Sequence, residues 1–193
     1  MLPEVWTRYR WRTEHIGLEL MKAEQWLDNE DNVKREARLE RLRWLESLMP
    51  KVDWMLHGTG QMSKYAFDEA RYCFIYGQYL GSIILGLAFI EWSLAGAFYA
   101  AGRIDLERAG ITSLSKEALN CGWLSQADYD AIEQVREYRN PITHFRPPGH
   151  DERVEARAFH ESIETYEVIE RDARKVMQTV CHLLLKIVPW AAP

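Results

Sequence analysis

Apolar residues recur along this chain at helical spacing. In "DNVKREARLERLRWLESLMP", Val33, Ala37, Leu42, Leu45 and Leu48 fall on one side while Arg and Glu fill the other. The pattern predicts two amphipathic helices, near 10–29 and 32–49, the second stopped by Pro50. "LHGTGQMS", Leu56 to Ser63, reads as a turn-rich linker. A long helix is expected from Ser63 to about Ala101, broken at Gly102, and "TSLSKEALNCG" reads as a short helix ending on Gly122. "SQADYDAIEQVREYR" follows, with Ser125 and Asp128 spaced as a capping box. A last helix is expected from about Glu152 to Val188, with Phe159, Ile163, Tyr166, Ile169, Val176, Val180, Leu184 and Ile187 on one side. No stretch clearly alternates as a strand would. The expected fold is all-α: an antiparallel up-and-down bundle over residues 61–193, with an N-terminal helical extension over 1–60.

The run from Ile83 to Gly102 holds twenty residues and one charge, Glu91, so it is long enough to cross a bilayer. Its eight Leu, Ile and Phe residues each favour insertion by about 0.3–0.6 kcal/mol, and a central acidic residue costs about 2.5–3.5 kcal/mol. The sum is near zero, and no close Lys or Arg cluster flanks the run. A core helix is the expectation, with Glu91 in need of a partner. Gly77 and Gly81 share one face of the predicted helix and suit close helix packing.

Composition narrows the class. A 193-residue chain with 47% hydrophobic and 27% charged residues suits one folded domain with a helical addition. Cys73, Cys121 and Cys181 are far apart and form no CxxC pair, which argues against a disulfide scaffold or zinc site. "MLPEVWTRYRWR" lacks the apolar core of a signal peptide, so a cytoplasmic location is expected, without membrane association. A formal net charge of -5 gives no general support for nucleic-acid binding, which would have to rest on a local patch.

Such a patch lies around "VREYRNPITHFRPPGH", Val135 to His150. Between Arg136 and Arg157 stand five Arg and two His against four acidic residues. An Arg followed by a His five to seven positions later carries little information by itself. With 17 Arg and 6 His, chance supplies about 1.6 such pairs, and the chain has four: Arg8 and Arg10 before His15, Arg139 before His144, Arg153 before His160. Context separates them. Arg139 and His144 straddle Asn140-Pro141, where a helix end or kink is expected to aim both side chains at one point; the other pairs lie on charged helix faces. Histidine moves protons near neutral pH, and a planar, permanently charged guanidinium suits a phosphate. The structural alternative is that Arg139 pairs with Glu91 to hold two helices in register while His144 caps a helix end.

"EARYCFIYGQYLGSIILGLAFIEWSL" followed by "LSQADYDAIEQVREYRNPITHF" resembles the HEPN superfamily, close to its small prokaryotic members with an RNP…H signature; the match spans roughly residues 64–188. The resemblance implies a four- or five-helix bundle that forms a homodimer. Arg and His of both protomers then meet in one cleft and cleave RNA without a metal or other cofactor. It implies Arg139 and His144 as the catalytic pair and Asn140 as the polar residue beside them. Arg136 and Arg146 of the local basic patch are the expected substrate-binding residues, and Glu91, the lone carboxylate of the apolar run, is the expected structural partner of Arg139. It also implies a toxin or phage-defence role with an antitoxin or defence-system partner protein. The alternative is a non-catalytic helical module serving as an adaptor for RNA, a nucleotide or a protein. The superfamily's toxins silenced by a nucleotidyltransferase carry a tyrosine two residues after the histidine; Arg146 stands there.

Overall fold

The computed structural model of this chain describes residues 22–51, 54 and 60–187. Arg8, Arg10, His15 and most of the first expected helix lie outside them. The described residues form a helical bundle without strands: α1 (Ala23–Leu48), α2 (Gln61–Ile75), α3 (Tyr79–Ala100), α4 (Ile111–Asn120), α5 (Gln126–Thr143), α6 (Val154–Glu161) and α7 (Thr165–Ile187).

The chain divides into units 1–39 and 40–193. The described part of the first is the start of α1, an exposed helix with Glu30–Lys34 and Asp31–Arg38 pairs, both at 2.8 Å. Two helices were expected here, yet α1 runs unbroken through Asp28–Asn32, where no Gly or Pro interrupts it. The second unit begins inside α1. Leu45 and Met49 are fully buried, and the buried Trp54 donates its indole N–H to the Met49 carbonyl at 3.1 Å. Residues assigned to the extension by pattern therefore belong to the core of the bundle.

The single long helix expected from Ser63 is a hairpin, α2 and α3. Gly77 adopts φ 75, Gln78 N–H donates to the Cys73 carbonyl, and Gly77 N–H donates to that of Phe74. These two bonds close a left-handed helix end that an L side chain would strain. The same bonding at Ser162 (φ 56) divides the expected last helix into α6 and α7. Phe159 and Tyr166, expected on the buried stripe, are exposed because of that turn.

Helix α3 lies between α2 and α7, burying Ile83, Leu87, Phe89, Ile90, Leu94 and Phe98. Phe89 meets Phe67 of α2 at 5.6 Å between ring centroids, and Phe98 stacks on Trp123 at 4.4 Å. By length and composition α3 could span a membrane, and half of its most apolar stretch is buried in the protein. Leu80, Ile84, Trp92 and Tyr99 stay exposed along one side of it.

Candidate functional site

Helix α5 carries the candidate residues, and its start is fixed before its end is reached. Ser125 caps it as expected: its hydroxyl accepts from Asp128 N–H, and the Asp128 carboxylate accepts from Ser125 N–H at 2.8 Å. Asp128 is 4% exposed and also accepts from Lys186 Nζ at 2.6 Å and contacts His182 Nε2 at 2.8 Å, tying α5 to α7. Burial alone would raise its pKa. The hydrogen bonds from Lys186, Ser125 and His182 outweigh that and hold the carboxyl well below the usual range. Ile132 and Val135 continue the buried face.

At the other end the sequence expectation needs correction. Helix α5 does not stop at Asn140; it runs through Pro141 to Thr143. A proline this close to a helix end forfeits one backbone bond without breaking the turn. His144 N–H still donates to the Asn140 carbonyl at 2.9 Å, and only at His144 does the backbone become extended (φ -124, ψ 127). This change of direction after Thr143 accompanies the return of the histidine toward the arginine.

Arg139 Nη1 lies 3.4 Å from His144 Nε2 and donates to Thr143 Oγ1 at 3.3 Å. A guanidinium only donates, so the contact is a hydrogen bond when Nε2 is unprotonated, the form in which an imidazole accepts a proton. Arg139 is half-buried and His144 exposed.

The neighbouring cations differ from Arg139. Arg136 pairs with Glu133 and Arg146 with Glu152, both at 2.7 Å; Arg153 pairs with Glu155 at 2.8 Å, and Arg157 grips Asp172 with two bonds of 2.6 and 2.8 Å. Of the five arginines from 136 to 157, Arg139 alone has no carboxylate partner among the described residues. The two expected substrate arginines, Arg136 and Arg146, are already balanced.

Glu91 was expected to be buried and paired with Arg139. It is half-buried and forms no ion pair with Arg139, although both line two clefts. The carboxylate lines open clefts rather than the closed apolar core, so its position does not demand an ion-pair partner. His144 does occupy the cap position of α5, as the structural alternative supposed; the Arg139–Glu91 half of that alternative is not found.

Two clefts meet at Arg139. One, of about 380 Å³, also takes in Arg136, Asn140 and the first residues of α4, Gly110 to Ser113. No side chain caps α4, so its leading amides bring partial positive charge to this cleft. The other, of about 370 Å³, is floored by Ile84, Ala88 and Trp92 of α3 beside Arg139 and Thr143. Sequence reasoning missed the start of α4, since nothing local announces that a helix beginning at Ile111, 28 residues upstream, starts beside Arg139.

Other reactive groups are less suited to chemistry. Burial pushes the Cys181 thiol up to about 12 and raises that of Cys73. Among the described residues no three of His, Cys, Asp and Glu gather as a metal-binding group. His160 is exposed at the end of α6, and Arg153, the arginine spaced before it, is paired with Glu155. No family model, curated protein or solved structure matches the chain.

Proposed function

We propose that the protein is a metal-independent endoribonuclease of HEPN type, cleaving single-stranded RNA at a site shared by two copies of the chain. The observation that carries the reading is an arginine with no ion pair among the described residues, Arg139, whose Nη1 lies 3.4 Å from Nε2 of an exposed histidine, at the meeting of two clefts. Arg139 binds the scissile phosphate, with the start of α4 adding positive potential. His144 Nε2 takes the proton of the 2′-hydroxyl, whose oxygen attacks phosphorus. The bond to the 5′-oxygen breaks, that oxygen receives a proton from the partner's copy of the histidine, and a 2′,3′-cyclic phosphate and a 5′-hydroxyl remain. Asn140 orients the phosphate from the helix turn beside Arg139.

The exposed stripe of α3 supports the homodimer. Ile84 and Trp92 share a cleft with Arg139, so burying that face against a second copy would bring two Arg139–His144 sets together. The same stripe favours the second reading, a non-catalytic adaptor that uses the face for a protein partner. We place the protein in the cytoplasm, as a toxin or phage-defence effector held in check by a partner protein.

The test is incubation of purified protein with a mixed RNA pool in EDTA, with light scattering for assembly. Cleavage with cyclic-phosphate ends by a dimer is expected. Arg139→Ala and His144→Ala should each lower the rate by about 10²–10⁴-fold, whereas His15→Ala and His160→Ala should leave it nearly unchanged. Arg139→Ala should shift stability by no more than about 0.5 kcal/mol, since no buried carboxylate depends on it. Intact RNA with the wild-type protein, or cleavage by both variants at the wild-type rate, hands the function to the adaptor reading.

A further inference from the structure

The residue after His144 is the most exposed large apolar side chain of the described residues: Phe145, at 85%. It is not on a loose end. Arg146 Nε binds Glu152 at 2.7 Å, Arg153 Nη1 donates to the Arg146 carbonyl at 3.3 Å, and His150 N–H donates to the Pro147 carbonyl at 3.2 Å. Pro147 and Pro148 stiffen the same loop, and Gly149 takes its left-handed turn (φ 86). What sets this ring apart from other exposed ones such as Phe159 is that a firmly held chain presents it beside an apolar cleft next to His144.

The ring borders a cleft of about 320 Å³ floored by Leu80, Pro141, Ile142 and Ile169 and edged by Arg146 and Arg153. Both arginines are neutralised, by Glu152 and Glu155. The cleft is thus apolar below and charge-balanced at the rim, a poor place for a phosphate and a suitable one for a flat uncharged ring. Arg139 makes no ion pair among the described residues, and there the opposite holds. His144 and Phe145 are adjacent, with Cα atoms about 3.8 Å apart, and successive side chains of an extended segment leave on opposite sides. A phosphate at Arg139–His144 and a base at Phe145 would therefore occupy neighbouring clefts set on two adjacent residues.

We propose that Phe145 is a stacking platform for an unpaired nucleobase flanking the scissile phosphate, and so a specificity-determining residue of this site. The proposal rests on the ribonuclease reading. Stacking on an aromatic side chain needs a splayed, single-stranded base and tolerates any base through its π face.

The test uses the full chain and a 2′-O-methylated single-stranded oligonucleotide, which lacks the attacking hydroxyl, with 2-aminopurine placed at successive positions. Quenching of one or two of these positions by the wild-type protein is expected. Phe145→Ala should remove the quenching and weaken binding about 5- to 150-fold, from about 1–3 kcal/mol per stacked base; Phe145→Trp should retain both. Unchanged binding and quenching in Phe145→Ala would overturn the stacking proposal while leaving RNA binding intact. A changed oligomeric state in Phe145→Ala, seen by light scattering, would overturn it too, by making the ring a subunit contact. If the wild-type protein binds no oligonucleotide at all, the ribonuclease reading falls and the proposal with it.

Discussion

Gly86 is where the packing of the bundle is least forgiving. A Cβ at this position would stand 2.5 Å from Val176 Cγ1 and 3.3 Å from Val180 Cγ2, both on α7. Carbon atoms prefer about 3.5–4.0 Å, so the first contact is about 1 Å too close. Val176 is fully buried, and a β-branched residue in a helix has essentially one rotamer, so it cannot swing aside. In an open helix Gly→Ala would stabilise by about 0.8–1.0 kcal/mol. Here α3 and α7 must separate instead, and overpacking of this kind costs about 1–3 kcal/mol. The backbone gain offsets only part of it. A contact this close puts the cost at the upper end, so Gly86→Ala should be net destabilising by about 2 kcal/mol, read as a lower urea midpoint at unchanged slope. Val176→Ala removes the offending methyl, so the double variant should be more stable than the sum of the singles predicts by about 1–2 kcal/mol. A Gly86→Ala protein as stable as wild type, or additivity in the cycle, would mean that the two helices are not in such close contact.

Two other packing sites give checks of different kinds. Asp128→Asn should cost about 1–3 kcal/mol, because it weakens the charge-assisted bonds that join α5 to α7. The Asp128 pKa is depressed on folding, so its stabilisation is complete above the unfolded value of about 3.9 and is lost as pH falls toward the folded one. Urea titrations should accordingly give equal wild-type advantages at pH 7 and 5 and a smaller one at pH 3; an advantage that grows toward acid would refute the assignment. Arg157→Met leaves the buried Asp172 carboxylate only the looser Arg171 contact at 4.0 Å and should cost about 3 kcal/mol, whereas Arg157→Met with Asp172→Leu should recover most of it. A double variant no better than the single would show that the pair does more than neutralise a buried charge.

Periodicity alone determined that the chain is an all-α bundle, because a helix writes its buried face into every third or fourth residue. The Ser125–Asp128 cap was legible for the same reason: both partners lie within four positions. Helix interruptions were less so. At Gly77 and Ser162 the apolar rhythm continues through the turn, and only the left-handed backbone breaks the helix. At Pro141 the signal erred the other way, since one lost bond near a helix end does not stop it.

The candidate site divides along the same line. Sequence placed Arg139, Asn140 and His144 in one short segment, and their closeness in the chain made their convergence predictable, though it comes from the extended backbone at His144 rather than from a proline kink. Which charges are free was out of reach. Glu133, Glu152, Glu155 and Asp172 neutralise four arginines, and for Asp172 the partner lies fifteen residues away on another helix. Glu91 looked as if it had to be buried because its helix is apolar. Tertiary packing instead opened a cleft on that side, where α3 faces the start of α4 and the end of α5. Burial and charge balance are properties of what surrounds a residue, and those surroundings arise only when distant helices meet.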